Sequence, residues 1–460
     1  MDTKQGMPTE KPRSRPACAP LDLLDSVLGQ ARAAGADAAE AIFAERSSAS
    51  VAWRLGRQES LEHSESSIIG LRLFIGRRQA IVSSSDASPD ALAAMVERAT
   101  AMARVVPEDP FCGLADPEEI IGDAVDVEAC DPAPIAVGIV MERAAAAEAA
   151  ALAVPGVTNS EGAEAGSGRD AWAVCATNGL RRSYARSWHS VSVSVLAGEG
   201  TAMERDYEYA GTVWGEDLED AATLGRRCGE KTVRRLHPRK VASAQVPIVF
   251  EPRVARSLLG HFSAAINGAA VARGTTFLGG KLGEQIFAPG IAVIDDPLRR
   301  RGLRSRPFDA EGIPSRRRAI VDDGILSSWL LDLRAARQLG LASTGHASRG
   351  ASSPPSPGPT NLYLQPGTLT PAELMRDIRS GLLVTDLMGF GINGVTGDYS
   401  RGASGFWIED GLPAYPVSEI TVSGNLLPMF RELTPADDLE FRWGMDCPTV
   451  RIDGMTIAGR

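Results

Sequence analysis

A chain of 460 residues exceeds what one hydrophobic core usually supports, and with 44% hydrophobic residues it is expected to form two or more domains. Its formal net charge is −10 and its 48 Lys and Arg are dispersed, which argues against nucleic acid as a direct partner. The six cysteines form no CxxC pair, which suits reduced thiols in a cytoplasmic protein better than a disulfide frame or a zinc ribbon, and no apolar run could span a bilayer.

Residues 1–19 are polar and Pro-rich without an apolar stretch, and read as a disordered tail rather than a signal peptide. Residues 20–240 read as an α+β domain. Leu21–Ala34 has the pattern of an amphipathic helix, and alternation at Ala41–Ala44, Ala49–Leu55, Ser67–Ile75 and Gln79–Ser83 predicts strands. Ser88 and Pro89 then open a helix running to Val105. The same plan returns with an Ala-rich helix Ile135–Ala153, strands near Gly156–Ala163, Trp172–Ala176, Ser190–Leu196 and Arg205–Tyr209, and a helix Leu218–Leu236. This order predicts an internal duplication, with antiparallel sheets and helices on one face.

His237-Pro238-Arg239-Lys240 and the polar run to Gln245 predict a boundary, so a second domain spans 246–460. It opens with a strand, Val246–Phe250, and a helix carrying Val254, Leu258, Phe262, Ile266 and Ala269 on one face. Strand patterns follow at Ile291–Ile294, Arg318–Val321, Leu326–Leu331, Asn361–Leu364, Gly381–Asp386, Gly405–Glu409, Ala414–Ser418 and Thr449–Asp453, with a short helix at Pro371–Arg379. The domain is therefore expected to be mainly β. Ser348–Pro359, rich in Ser, Pro and Gly, is expected to be a mobile loop.

A metalloprotease would place two His and a Glu on a helix like the one after Phe250, yet Ser257–Ala272 holds a single titratable side chain, His261. On this apolar helix His261 reads as a hydrogen-bonded core or interface histidine. No GxSxG is present and none of the five His has a compelling nucleophile neighbour, so a serine or cysteine hydrolase is disfavoured. Gly389–Gly394 satisfies GxGxxG, but the residues after it cannot open a helix to meet a pyrophosphate. Arg299, Arg300, Arg301, Arg304, Arg306 and Arg316–Arg318 interleave with Asp295, Asp296, Asp309, Glu311, Asp322 and Asp323, which predicts a salt-bridged loop surface rather than an anion site.

Several segments appear in a telling order: RGTTFLGGKLGEQIF (Arg273–Phe287), SRPFDAEG (Ser305–Gly312), STGHASRG (Ser343–Gly350), TNLYLQPG (Thr360–Gly367) and TGDYSRGASGFWIEDG (Thr396–Gly411). With GRRQAIVSSSDASPDAL (Gly76–Leu92) and PEDPFCGLADP (Pro107–Pro117) they resemble the TldD/PmbA family over residues 20–460. The resemblance is to its PmbA (TldE) branch, which lacks the HExxxH helix and C-terminal Cys of the TldD branch. With the branches overlaid on Arg273–Thr275, the first His, the Glu and the second His fall on Leu259, Gly260 and Ala264.

The resemblance implies a barrel-like C-terminal domain and no catalytic or metal-ligating residue in this chain, zinc being expected only in a TldD-type partner. It implies a heterodimer with that partner or a homodimer, acting on unfolded peptides such as the leaders of modified precursors and antitoxins. Cys447 then reads as a small buried hydrophobe, and His346 as an exposed departure from the family pattern. Asp309 and Glu311 are expected to pair with Arg306 and Arg316 and fix their loop, or to shape a groove beside the partner's active site. Arg401, flanked by glycine, would clamp a carboxylate or tie two strands. The rival reading is a stand-alone peptide-binding or regulatory protein.

Overall fold

The computed structural model describes residues 19–459, so all of the predicted tail except Ala19 lies outside the described residues. The first half contains α1 (Pro20–Ala33), β1 (Ala38–Arg54), β2 (Arg57–Ile75), β3 (Arg78–Ser84) and α2 (Pro89–Val105), and repeats the plan as α3 (Val137–Leu152), β4 (Val157–Ala176), β5 (Arg181–Ala197), β6 (Glu204–Thr212) and α4 (Ala221–Arg234). The two copies join edge to edge in one antiparallel sheet of order β3-β2-β1-β4-β5-β6. Its centre is the β1–β4 pair, in register from Glu40 opposite Ala176 to Trp53 opposite Ala163. The strands outrun the predicted ones because the β1–β2 hairpin tip is solvated, Arg57–Gln58–Glu59 and Leu61–Ser66 being exposed, so no alternation marks it.

Odd positions of β1 face the helices. Ala39, Ala41 and Phe43 pack with Leu24 and Val27 of α1 and Met95 and Ala99 of α2, while Val51 packs with Ala144 of α3 and Leu224 of α4. A Cβ placed on Gly225 would lie 2.0 Å from the Ala147 carbonyl oxygen, so α3 and α4 touch backbone to backbone. Only small residues at Ala144, Ala147, Ala151 and Gly225 permit that approach, which accounts for the Ala-rich run.

The second half comprises β7 (Ala244–Phe250), α5 (Pro252–Ala265), α6 (Gly268–Arg273), β8 (Val293–Asp295), β9 (Arg318–Asp322), β10 (Ile325–Leu326), α7 (Leu333–Leu339), β11 (Ala347–Ser348), β12 (Ser356–Pro357) and β13 (Leu362–Leu364). It continues with α8 (Pro371–Met375), β14 (Ser380–Met388), β15 (Asp398–Glu409), β16 (Leu412–Asn425), α9 (Leu426–Arg431), β17 (Leu433–Pro435), β18 (Met445–Asp446) and β19 (Val450–Ala458). Strands β7, β14, β15, β16 and β19 close into a barrel, because β19 pairs with both β7 and β16. A smaller sheet of order β10-β9-β8-β13-β18 lies beside it. Phe262 of α5 sits edge-on to Phe287 and Phe430, at 5.4 and 5.9 Å between ring centroids.

Three details depart from the sequence reading, the first being the predicted strand Leu326–Leu331, of which only Leu326 belongs to a strand, β10. The helix after β7 stops at Ala265, and the Asn267 side chain accepts the Ala269 amide to cap α6, which puts Ala269 on the second helix. Ser348–Pro359 is not a loose loop: β11 and β12 pair, and Ala351 is buried against the other domain. A Cβ on Gly70 would lie 1.9 Å from the Ala351 carbonyl oxygen, so the two domains meet there without room for a side chain. Among the described residues no helix is long and apolar enough to cross a membrane.

Candidate functional site

The structure separates the four singled-out residues into two places. His261 on α5 and Arg401 on β15 come together with Tyr399, whose ring lies edge-on to His261 at 6.1 Å between centroids. His261 Nε2, the Tyr399 hydroxyl and Arg401 Nε are buried without a hydrogen-bond partner, so no hydrogen bond forms through Nε2 of the expected core or interface histidine. Burial, reinforced by the Arg401 charge, lowers His261 to about 4, and burial raises Tyr399 to about 12. Both are therefore neutral at physiological pH. Arg401 donates through Nη2 to the Leu387 carbonyl at 3.3 Å and so ties β15 to β14.

The zinc-ligand positions of the helix lie beside this cluster. Leu259 is 3% exposed in the barrel core, Gly260 has no side chain, and Ala264 faces solvent. None offers a donor atom, and among the described residues no three His, Cys, Asp or Glu side chains gather as a metal site. The donor set here does not fit zinc. Cys447 cannot supply a ready thiolate either: it is buried in the barrel core, and burial pushes its thiol well above the ordinary range.

Asp309 and Glu311 lie elsewhere, at the seam between the two halves. Asp309 Oδ1 accepts the amides of Glu311 and Ile313 at 2.9 and 3.0 Å, and Oδ2 accepts that of Ala347 at 3.0 Å. Glu311 Oε2 accepts the Leu333 amide at the start of α7 at 2.8 Å. The expected pairing with Arg306 and Arg316 does not form: Arg316 is exposed, and half-buried Arg306 gives Nη1 to the Ala347 carbonyl. Backbone amides do this bracing because a buried Asp at the head of a turn reaches N–H groups two and four residues on. Burial raises both carboxyls, Glu311 further because Asp309 stands beside it.

Phe308 of the same loop packs with Ile42, Val174 and Leu180 on the helix-free face of the six-stranded sheet, and meets Tyr184 edge-on at 5.6 Å. Beside it Glu40 is buried between two cations, Arg72 at 3.2 Å and Arg349, and neither arginine was foreseen because each is an isolated charge in its segment. The SRPFDAEG segment is therefore a docking element.

Other sequence expectations change at this seam. His346 is 1% exposed, not surface-facing, with Nε2 3.4 Å from Asp295 and Nδ1 2.8 Å from the Thr344 hydroxyl. His189 does have a nucleophile neighbour, for Nδ1 contacts the Ser167 hydroxyl and Nε2 lies 3.3 Å from Asp131. Ser167 is 3% exposed in mid-strand, so this array braces the sheet and offers no substrate access. The arginine cluster is salt-bridged only in part, and across the seam: Arg300 and Arg301 both pair with Glu128, and Arg301 also reaches Glu216 and Asp217. Arg317 alone approaches a neighbouring acid, Asp296, at 4.0 Å.

Comparison with known proteins agrees with this architecture. Models of the PmbA/TldA metallopeptidase domain 1, central domain and C-terminal domain match residues 39–103, 130–236 and 243–459. The chain is 39% identical to Metalloprotease PmbA of Escherichia coli O157:H7, over 92% of this chain and 93% of that protein. The crystal structure of a protein described as a modulator of DNA gyrase, from Bacteroides thetaiotaomicron, superposes with a TM-score of 0.87 at 27% identity, covering 95% of this chain and 98% of that one. TldE from Thermococcus kodakarensis shares the fold, with a TM-score of 0.83 at 19% identity over 95% of this chain and 100% of that one. With its relatives matched nearly end to end and all three domain models in order, the chain belongs to the PmbA/TldD metallopeptidase family.

Proposed function

We propose that this chain is a PmbA/TldE-type subunit that does not itself bind zinc, and that it joins a TldD-type partner in a cytoplasmic peptidase acting on unfolded or flexible peptides. The observation that carries this reading is the helix α5 of a metallopeptidase C-terminal domain with Leu259, Gly260 and Ala264 where a His, a Glu and a His would be needed. Activity of the pair then depends on zinc held by the partner, while this chain contributes its barrel and seam to the assembly. Peptides of the kind named by the family resemblance, leaders of modified precursors and unfolded antitoxins, are the proposed substrates.

Elemental analysis of the purified chain is expected to give far less than one zinc per chain, with no chelator-sensitive cleavage. Light scattering is expected to find a dimer, preferentially with a co-expressed TldD-type protein. Stoichiometric tight zinc would overturn the metal assignment. A chain that stays monomeric at micromolar concentration and ignores the TldD-type protein would refute the subunit reading and leave a stand-alone peptide-binding protein.

A further inference from the structure

A groove runs along the seam beside β6, an edge strand of the six-stranded sheet. It consists of adjoining cavities of about 410 and 270 Å³ that share Leu303 as a wall. One side carries Tyr207 and Tyr209 of β6, both exposed, and the other carries Arg256, Arg299, Phe441 and Trp443. Arg304 packs its stem against Gly444 at the same place and is exposed.

The charge balance in this groove is one-sided. Two lining carboxylates are paired with cations, Asp217 with Arg301 and Glu208 with Arg227 and Lys231, while Asp446 accepts the amides of Arg442 and Trp443 and stands near Arg256 and Arg304 without an ion pair to either. Arg256, Arg299 and Arg304 form no ion pair among the described residues. Arg299 instead lies 3.4 Å over the Phe441 ring and Arg256 lies 5.0 Å over Trp443. Such stacking fixes a guanidinium plane without neutralising it, and leaves its N–H edge free for an anion. Burial and the neighbouring Arg256 hold Arg304 below its ordinary value, with Asp446 and Asp295 acting the other way without offsetting them.

We propose that this groove binds an acidic stretch of an extended peptide, its carboxylates held by Arg256, Arg299 and Arg304 along β6. A concentration of unpaired cations in a chain of net charge −10 gives local complementarity to such a ligand. A nucleotide fits less well, because Phe441 and Trp443 already have guanidinium groups over their faces and offer bases no free platform. The peptide part of the proposal rests on the reading of a peptide-handling subunit; the anion preference rests on the groove alone.

The test is fluorescence polarisation of labelled hexaglutamate, hexaglutamine and hexalysine peptides with the full chain at low salt. Hexaglutamate is expected to bind at least about tenfold more tightly than the other two, and to weaken as salt rises. Arg256→Gln, Arg299→Gln and Arg304→Gln are each expected to weaken it about threefold to tenfold with an unchanged melting temperature, whereas Arg316→Gln, away from the groove, leaves it unaltered. Equal binding of hexaglutamate and hexaglutamine, no loss in any of the three variants, or a DNA 12-mer that displaces hexaglutamate from a stronger site of its own would each overturn the proposal. The assay needs neither partner nor cleavage, so its outcome is independent of whether the subunit reading holds.

Discussion

Replacing Arg349 by Met tests the ionic clasp that joins the two halves of the molecule. Arg349 and Arg72 approach Glu40 from opposite domains, and the side chains of all three are 4% exposed or less. Breaking a buried pair by removing one partner typically costs about 3–5 kcal/mol, because the remaining charge has no water to turn to. Here Glu40 keeps Arg72, which Gln79 also steadies at 2.9 Å, so the cost should fall to about 2–3 kcal/mol. Urea denaturation followed by tryptophan fluorescence measures it, with a lower midpoint expected for Arg349→Met. The companion Glu40→Gln, which leaves two buried cations facing one another, should cost more than Arg349→Met. If Arg349→Met changes stability by less than about 0.5 kcal/mol, or if Glu40→Gln is the milder of the two, the contact is solvated in solution and the clasp argument fails.

Asp309→Asn should destabilise by about 2 kcal/mol, since both oxygens accept backbone amides and an amide group cannot replace them, whereas Glu311→Gln keeps its single acceptor and should be neutral or stabilising as pH rises. The sign for Glu311 follows from its raised folded value: its contribution is present below the unfolded value of 4.5 and is lost as pH rises through the folded one, so thermal melts at pH 5 and pH 9 separate the variants. His261 has the opposite sign. With a folded value of about 4 against 6.5 unfolded, it favours the native state above 6.5 and loses that contribution as pH falls toward 4. Partial solvent exposure limits the effect to about 1–2 kcal/mol, and His261→Gln should flatten this acid limb in a pH series of melts without abolishing cleavage by a reconstituted complex. Gly225→Val should cost about 3 kcal/mol by forcing α3 and α4 apart, which differential scanning calorimetry would register; a wild-type melting temperature would show that the helices are not in backbone contact.

Much of the architecture could be read from the chain because local pattern carried it. Helix starts such as Ser88-Pro89, and the alternation of Ser67–Ile75, mark elements that hold in three dimensions. The duplication was visible as element order, but its joining through β1 and β4 was not, because the pairing of strands more than a hundred residues apart leaves no local trace. Candidate-site residues divide in the same way. The missing donors at Leu259, Gly260 and Ala264 are a property of residue type and need no structure. The environment of His346 depends on Asp295, and that of Glu40 on Arg349, contacts that only the folded chain creates. Asp309 drew attention for its arginine neighbours in sequence, yet its partners are main-chain amides, which carry no letter in the sequence.

The shared sheet also determines what a fragment of this protein would be. Cutting between α2 and α3 would leave each half with a long strand, β1 or β4, stripped of the neighbour it pairs with over fourteen positions from Glu40–Ala176 to Trp53–Ala163. Each would present an unpaired row of amides and carbonyls, able to dock on another copy of itself. Neither half is thus a self-sufficient module, although each resembles one in sequence. The likeness between the copies makes the hazard specific, since an isolated first half could satisfy β1 by pairing with β1 of a second molecule, rebuilding the six-stranded layer as a symmetric dimer.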